Sequence, residues 1–572
     1  MANRKANEAK FFFMVASLPS DTFQVMNFSG VDAISSPYRF DIMLISHRND
    51  IEDSEVINKQ ASLYIFRDGD YFPYSGMISE FRFLGANTDH SNYSVTLVPK
   101  LWGLNLNRQT RIFQKMKVST IIKDVIDGAG LSDYYTTNLD ESKFSELEYV
   151  VQYQESDLNF ISRLMEANGI WYFFKESPLL PEEIGEASRE SLVITNKVAS
   201  FEFLDISSDV LFRHSSGLAE RLEDDDRESI HQLETYRQLV PREVLVRDYN
   251  YRTPEIDLIG RKPVREGDCG AVYEYGGNFK DTNGAQALAE TVAYRLAVQQ
   301  MNVEGVGNCR GFRAGKRFTL QEHFRETLNG IYVLTKVTHQ GAHTTTGGGA
   351  RMFTYKNTYG SIPAAQAEMY RPPLKAAVPR ISGIMTAKIE ANGSDYAAID
   401  EMGRYKVRMP FDLSDSANYQ GSRYVRLSQP YSGSSYGMHF PSHEGTEMVW
   451  ACIDGDPDRP LGLATVPNAN TLPPVVSGNK QQGILRTAGG NELIMDDTDA
   501  KQKITLKTKA ANEIFFDDEN KFLHVKTTDG NAIKLDDQNE CVSWNANEHT
   551  VTMSYKSGEE SITITTKEGN VI

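Results

Sequence analysis

The C-terminal part of this chain repeats itself, and the repeat limits what it can fold into. Asn491-Glu-Leu-Ile-Met-Asp-Asp497 returns as Asn512-Glu-Ile-Phe-Phe-Asp-Asp518 and again as Asn531-Ala-Ile-Lys-Leu-Asp-Asp537, 21 and then 19 residues further on. A period of about twenty marks a stacked supersecondary unit. Each unit holds a second alternating run: Ile504 with Leu506, Leu523 with Val525, Val542 with Trp544, then Ile562 with Ile564. Period-two alternation puts these side chains on one face of a strand and Lys, Thr, Ser and His on the other. His524 falls on the polar side, which weakens any axial metal site built from it. Burying one large apolar side chain is worth about 1.5–3 kcal/mol, so a unit with a single apolar stripe needs neighbours. The turns carry Asp-Asp rather than a glycine-rich nonapeptide, which disfavours a calcium-bound β-roll. Bulky Phe, Trp and Leu in the stripe favour several chains around a shared core. The candidate core residues are Ile514, Phe516, Leu523, Val525, Ile533, Leu535, Val542, Trp544, Ile562 and Ile564.

The rest of the chain is too long for one core. At 572 residues, with domains of roughly 100–200 residues, three or four units are expected. A net charge of −17 repels a phosphate backbone and an anionic bilayer alike, which argues against nucleic acid as a partner. Phe11 to Ala16 is too short, and too soon broken by Pro19 and Asp21, to be a signal-peptide core. The expectation is synthesis in the cytoplasm and export without a cleaved leader. Cys269, Cys309, Cys452 and Cys541 lack Cys-x-x-Cys spacing and read as small buried hydrophobes rather than zinc ligands or a disulfide framework.

From Phe11 to about Leu97, short runs rich in Phe, Val, Ile and Tyr read as strands of a sheet or barrel. Three helices interrupt the β pattern. Ser119 is read as the cap of one that stops at Gly128, Ser156 as the cap of one that stops at Gly169, and the third spans Gln286 to Gln300. Residues 1–365 therefore form a β-rich body, plausibly two sub-barrels with packed helices. Prolines 363, 372, 373 and 379 mark a linker over 366–379. Short strands over 380–470 suit a small Greek-key barrel of OB type. A second linker, 471–482, precedes the repeats of 483–572.

These segments, taken in order, resemble the valine-glycine repeat protein G family of type VI secretion spikes, which is similar to the hub and spike proteins of contractile phage tails. The resemblance rests on Arg111-Ile-Phe-Gln114, on Val151-Gln-Tyr-Gln-Glu-Ser-Asp157 with Arg163-Leu164, Glu166 and Gly169-Ile-Trp-Tyr-Phe173, on Asp248-Tyr-Asn-Tyr, and on Asp454-Gly-Asp-Pro-Asp-Arg-Pro460. Pro441-Ser-His-Glu before Gly445 departs from the family's Pro-Arg pattern. The resemblance implies a homotrimer with a phage-hub-like β-barrel body, an OB-fold neck and a three-chain β-helix needle. It also implies docking on hexamers of the tube protein (haemolysin-coregulated protein), baseplate contacts, and a PAAR-type tip protein or an effector or adaptor at Gly569, Asn570, Val571 and Ile572. No cofactor, metal or catalytic residue is expected. The rival within the same architecture is the spike of a phage, pyocin or extracellular injection particle, and a signal-borne β-solenoid adhesin is a further one.

Competing chemistry reads weakly beside this. Gly433-Ser-Ser-Tyr-Gly437 matches the hydrolase elbow around Ser435, but Met438-His-Phe-Pro441 has no helical period, so a turn is favoured. Gly311-Phe-Arg-Ala-Gly-Lys-Arg317 is one residue short of a phosphate loop and has Arg317 where Ser or Thr is needed, so it reads as a strand-edge turn. His323, His339 and His343 read as surface histidines. Asp454, Asp456 and Asp458 read as turn formers rather than calcium ligands, and the twin aspartates of the repeats as solvated turns.

Overall fold

The computed structural model describes residues 10–67, 69–179, 190–213, 228–345, 351–393 and 396–571. The protein is mainly β. It divides into two units: Met1–Gly383 with Phe411–Asp415 and Cys452–Pro460, and Ile384–Pro410 with Ser416–Ala451 and Leu461–Ile572.

The first unit is built on twelve principal strands. Six come from its N-terminal part: β1 (Phe11–Val15), β2 (Gln24–Ala33), β3 (Ser36–Ser46), β4 (Gln60–Arg67), β5 (Asp70–Ala86) and β6 (Ser91–Val98). They pair in the order β1-β4-β5-β6-β3-β2. Alternation along β1 and β3 sends Phe11, Phe13, Tyr38, Phe40, Ile42 and Leu44 into one aromatic core. Six later strands, β7 (Asp209–Phe212), β8 (Ser229–Arg237), β9 (Met301–Gly307), β10 (Lys316–Gln321), β11 (Gly330–Thr345) and β12 (Arg351–Pro363), close a ring in the order β11-β12-β9-β8-β7-β10-β11. β11 is long enough to serve both sets. Its start pairs with β10, Val333 facing Arg317, and its later half pairs with β2, Lys336 facing Ala33.

Helices α1 (Val118–Gly128) and α2 (Asp157–Ala167) lay Ile121, Ile122, Val125, Phe160 and Ile161 against the core of the first six strands. The cap of α1 is Lys117; Ser119 lies inside the first turn and its hydroxyl donates to Glu141. For α2 the expected cap holds: Ser156 Oγ accepts from the Asn159 amide at 3.1 Å, and Gly169 at φ +66° ends the helix. Ser156→Ala is expected to cost about 1 kcal/mol, read as a lower urea midpoint of the first unit. Ser156→Asp should restore it. Helix α3 (Thr282–Gln299) starts earlier than its pattern suggests because Asp281 accepts from the Gly284 amide at 2.7 Å. It buries Ala285, Ala289, Ala293 and Ala297, small side chains that let the backbone of Gly260 approach closely.

The motif around α2 is a folding knot. Arg111 pairs with Asp157 at 2.5 Å, Gln152 donates to the same carboxylate at 2.8 Å, and Arg163 pairs with Glu155 at 2.8 Å. Glu166, buried, accepts from the amides of Lys375 and Ala376, and Arg295 donates to Pro372 O at 2.9 Å. Residues 366–379, expected to be a loose linker, are thus strapped onto the first unit. The Asp454–Pro460 loop also belongs to this unit. Arg459 pairs with Asp248 at 3.1 Å, and Asp458 Oδ1 accepts from the Val151 amide at 2.7 Å, so three motifs distant in sequence meet.

The second unit contains a four-stranded sheet in the order Val407–Arg408, Met385–Ile389, Glu447–Cys452, Pro460–Val466, over a core that includes Tyr405, Val425, Met448 and Trp450. It also contains a nine-stranded sheet formed by the repeats. No helix among the described residues is long and apolar enough to cross a membrane.

Candidate assembly interface

The repeats fold into nine short strands: β13 (Gln482–Arg486), β14 (Glu492–Asp496), β15 (Lys503–Lys507), β16 (Glu513–Asp517), β17 (Phe522–Lys526), β18 (Ala532–Asp536), β19 (Cys541–Ala546), β20 (His549–Ser554) and β21 (Ser561–Thr565). Each pairs antiparallel with the next, so the order in the sheet is the order in the chain. A meander of this kind follows from strands of five or six residues joined by tight turns.

Register then does the decisive thing. Leu485, Leu493, Leu506, Ile514, Val525, Ile533, Trp544, Val551 and Ile564 stand directly opposite one another from strand to strand. A second column runs Met495, Ile504, Phe516, Leu523, Leu535, Val542, Met553 and Ile562. With neighbouring strands about 4.8 Å apart, the two columns form an apolar stripe roughly 38 Å long. It lies uncovered: Phe516 is 42% exposed, Trp544 40% and Ile562 64%. All ten residues proposed from the sequence as a core lie in these columns. The stripe extends beyond them through Leu485, Leu493, Met495, Ile504, Leu506, Val551 and Met553, whose alternation in the sequence is the same signal.

The opposite face is mostly polar and internally matched, although Ile484, Ile494 and Phe515 lie on it toward its start. Arg486, Glu492, Lys507, Glu513 and Lys526 follow one another across the strands, alternating in sign. Opposite charges facing across an antiparallel pair each contribute a few tenths of a kcal/mol, roughly 0.2–1. His524 lies on this face, as its alternation requires, 2.8 Å from Glu513 and beside Phe515 and Phe522.

Asparagines tie the turns on one edge. Asn491 Oδ1 accepts from the Lys509 amide, Asn512 Oδ1 from Thr528 at 3.0 Å and Asn531 Oδ1 from Asn547 at 2.9 Å. His549 Nδ1 makes the next rung with the Lys567 amide at 3.2 Å. This explains the recurring Asn at the head of each repeat. On the other edge Asp517 and Asp536 are buried rather than solvated, each accepting from the amide and side chain of an asparagine three residues on.

Gly569, Asn570 and Val571 repeat the earlier turns. Thr566 N donates to Asn570 O at 2.9 Å, Gly569 sits at φ +81° and Val571 bridges Thr565. Ile572 lies outside the described residues.

Other candidates resolve into structure. Ser435 occupies the two-residue turn, at φ 63°, of a hairpin pairing Ser432–Gly433 with Tyr436–Gly437; a strand rather than a helix follows it. The histidines are not on the surface as expected. His339 is fully buried, His323 nearly so, and His343 is half-buried with Nδ1 against Val25 O. Burial, with Arg313 nearby, lowers the His339 pKa to about 3. Of the cysteines only Cys309 is buried; Cys269 is exposed, and Cys452 and Cys541 are intermediate. Gly311–Arg317 is the turn into β10 and its start, and it carries two buried cations, Arg313 and Lys316.

Residues 31–345 match the phage tail baseplate hub (GPD) family, more than half of the chain. The chain belongs to that family. Its curated relatives include the type VI secretion system spike protein VgrG1b of Pseudomonas aeruginosa PAO1, 27% identical over 514 residues that cover 87% of this chain and 67% of the relative. The actin cross-linking toxin VgrG1 of Vibrio cholerae O395 is 28% identical, over 86% of this chain and 45% of the toxin. The chain therefore spans between about half and two thirds of the length of these two relatives. Among solved structures, an Escherichia coli type VI secretion component described as similar to the T4 bacteriophage tail proteins gp27 and gp5 shares the fold. It matches with a TM-score of 0.56 at 22% identity, covering 79% of this chain and 99% of that one. A Francisella PdpA–VgrG complex superposes with a TM-score of 0.59 at 8% identity, over 88% of this chain and 76% of that one.

Proposed function

We propose that this hub protein is one subunit of a homotrimeric spike that tips a type VI secretion tube and punctures a target envelope without catalysis of its own. The observation that carries the reading is the uncovered stripe. A one-layer sheet with one apolar face is not stable in water until that face is covered. The stripe is only two side chains wide, and one on β13 where Gly483 faces Met495, so copies of the same sheet arranged about an axis would cover one another and form a rod. In this reading residues 483–572 are a three-chain β-helix needle, 380–470 an OB-fold neck and 1–365 the hub that docks on hexamers of the tube protein. The turn at Gly569–Val571 would receive a PAAR-type tip, an effector or an adaptor. The subunit would assemble in the cytoplasm and leave it by sheath contraction.

Light scattering on the intact chain tests this. A mass three times 64.3 kDa is expected, and a version ending at Pro473 should dissociate on dilution at least tenfold more readily. A stable monomer of the intact chain removes the needle and the puncturing role with it.

A further inference from the structure

The first unit hides a set of ionisable groups that assembly does not explain. Arg313 reaches in from the turn before β10. Its guanidinium lies 4.1 Å from the centre of the Tyr74 ring, donates to Pro73 O and stands 3.8 Å from Glu176. Glu176 accepts from both the amide and the hydroxyl of Ser75 on β5. Tyr74 approaches Asp32 of β2 at 3.5 Å and His339 of β11 at 3.0 Å, and His339 in turn meets Tyr355 of β12 at 2.7 Å. Asp32 also accepts from the Ala314 amide at 3.1 Å. Glu190 receives the Tyr134 hydroxyl and faces Tyr38 of β3, Glu176 and Lys100. The cluster thus joins β2, β3 and β5 of the first six strands to β11, β12 and the turn before β10.

Its charges do not balance. Asp32, Glu176, Glu190 and Arg313 are all buried. His339 is neutral there, and Lys100 is only partly buried. Three buried carboxylates against one buried guanidinium leave surplus negative charge in a low-dielectric interior, which a protein relieves by keeping a carboxyl protonated.

We propose that this cluster is a proton-dependent lock in the first unit: Glu190, buried beside Glu176 and receiving the Tyr134 hydroxyl, keeps a proton, and losing it loosens the packing that Glu176 and Arg313 carry from β5 to the turn before β10. Burial, only partly offset by Tyr134, pushes Glu190 up to about 8, and burial also raises Glu176. The folded protein then binds a proton that the unfolded chain has released. Stability falls as pH rises from the ordinary glutamate range to about 8 and levels off, for this group, above it. For Glu190 alone the lock is tightest below the ordinary glutamate range and loosest above about pH 8.

Urea unfolding of the full chain between pH 5.5 and 9 reads the effect. In the wild type the folded-to-unfolded ratio should drop by up to about tenfold per pH unit between about pH 6.5 and 8; below that range His339, neutral in the fold and ionised in the unfolded chain, opposes the fall. Glu190→Gln should remove most of that slope, whereas Glu568→Gln, an exposed turn residue, should keep it. Infrared spectra of the wild type with isotope-labelled glutamate should show a protonated carboxyl at pH 7 that disappears near pH 8. Parallel pH profiles for Glu190→Gln and wild type, or no protonated carboxyl at pH 7, overturn the proposal. The second readout decides even if the variant does not fold.

Discussion

Phe516→Asp is expected to leave a folded hub that no longer assembles. Phe516 faces Ile504 on one side and Leu523 on the other, in the middle of the stripe. In a single chain it is partly open to water, so an aspartate there disturbs the isolated sheet little. In an assembly the same position is covered, and every copy would bring a carboxylate into an apolar interior with no cation to meet it. Burying an unpaired polar or charged group costs several kcal/mol, and each 1.4 kcal/mol is about a tenfold change in affinity. Copies that stay together at micromolar concentration should then separate, read by light scattering across a dilution series. Thr505→Asp is the control. Thr505 is one residue from Ile504 but on the opposite face, opposite Ile494 and Phe515. It should change nothing in the mass. Equal masses for Phe516→Asp and wild type would refute a covered stripe.

How much of this was legible beforehand depends on how local the signal is. The stripe was readable because strand alternation has a period of two and the repeat fixes the turns, so neighbouring residues carry the whole pattern. The α2 cap was readable for the same reason: Ser156 and Asn159 are three residues apart. The cap of α1 was misplaced because Ser119 is turned to Glu141, 22 residues away. His339 reads as a surface residue, and Arg313 as part of a strand-edge turn, because their partners, Tyr74, Asp32 and Glu176, lie far off in the chain. The strap at 366–379 looked like a linker because its hold comes through backbone amides and carbonyls, met by Glu166, Asn159 and Arg295. Backbone groups leave no mark in the side-chain pattern.

The same logic makes Arg459 a strong test of the hub. Asp248 has a side chain only 2% exposed, and it accepts from the amides of Tyr249 and Asn278 at 2.7 and 2.6 Å. Those bonds hold the carboxylate in place but leave its charge uncompensated; Arg459, 11% exposed, supplies the cation and also reaches Gly276 O at 3.4 Å. Arg459→Ala removes one partner of a buried pair, a change that costs about 3–5 kcal/mol. The loop around it closes on itself through Ile453 N to Arg459 O at 3.0 Å, with Asp454 and Gly455 both left-handed, and between Cys452 and Pro460 Arg459 is its one Lys or Arg. Urea unfolding should show that loss, and hydrogen exchange should speed up at the Val151 amide, which Asp458 holds. Replacing both partners, Asp248→Asn with Arg459→Met, leaves no buried charge and should recover part of the stability, because deleting a pair costs less than orphaning one member, while the asparagine amide nitrogen cannot accept one of the two backbone amides that the carboxylate holds. If the single and double variants are equally destabilised, the loop contributes packing alone, and the Asp248–Arg459 pair is not what fastens residues 452–460 to the hub.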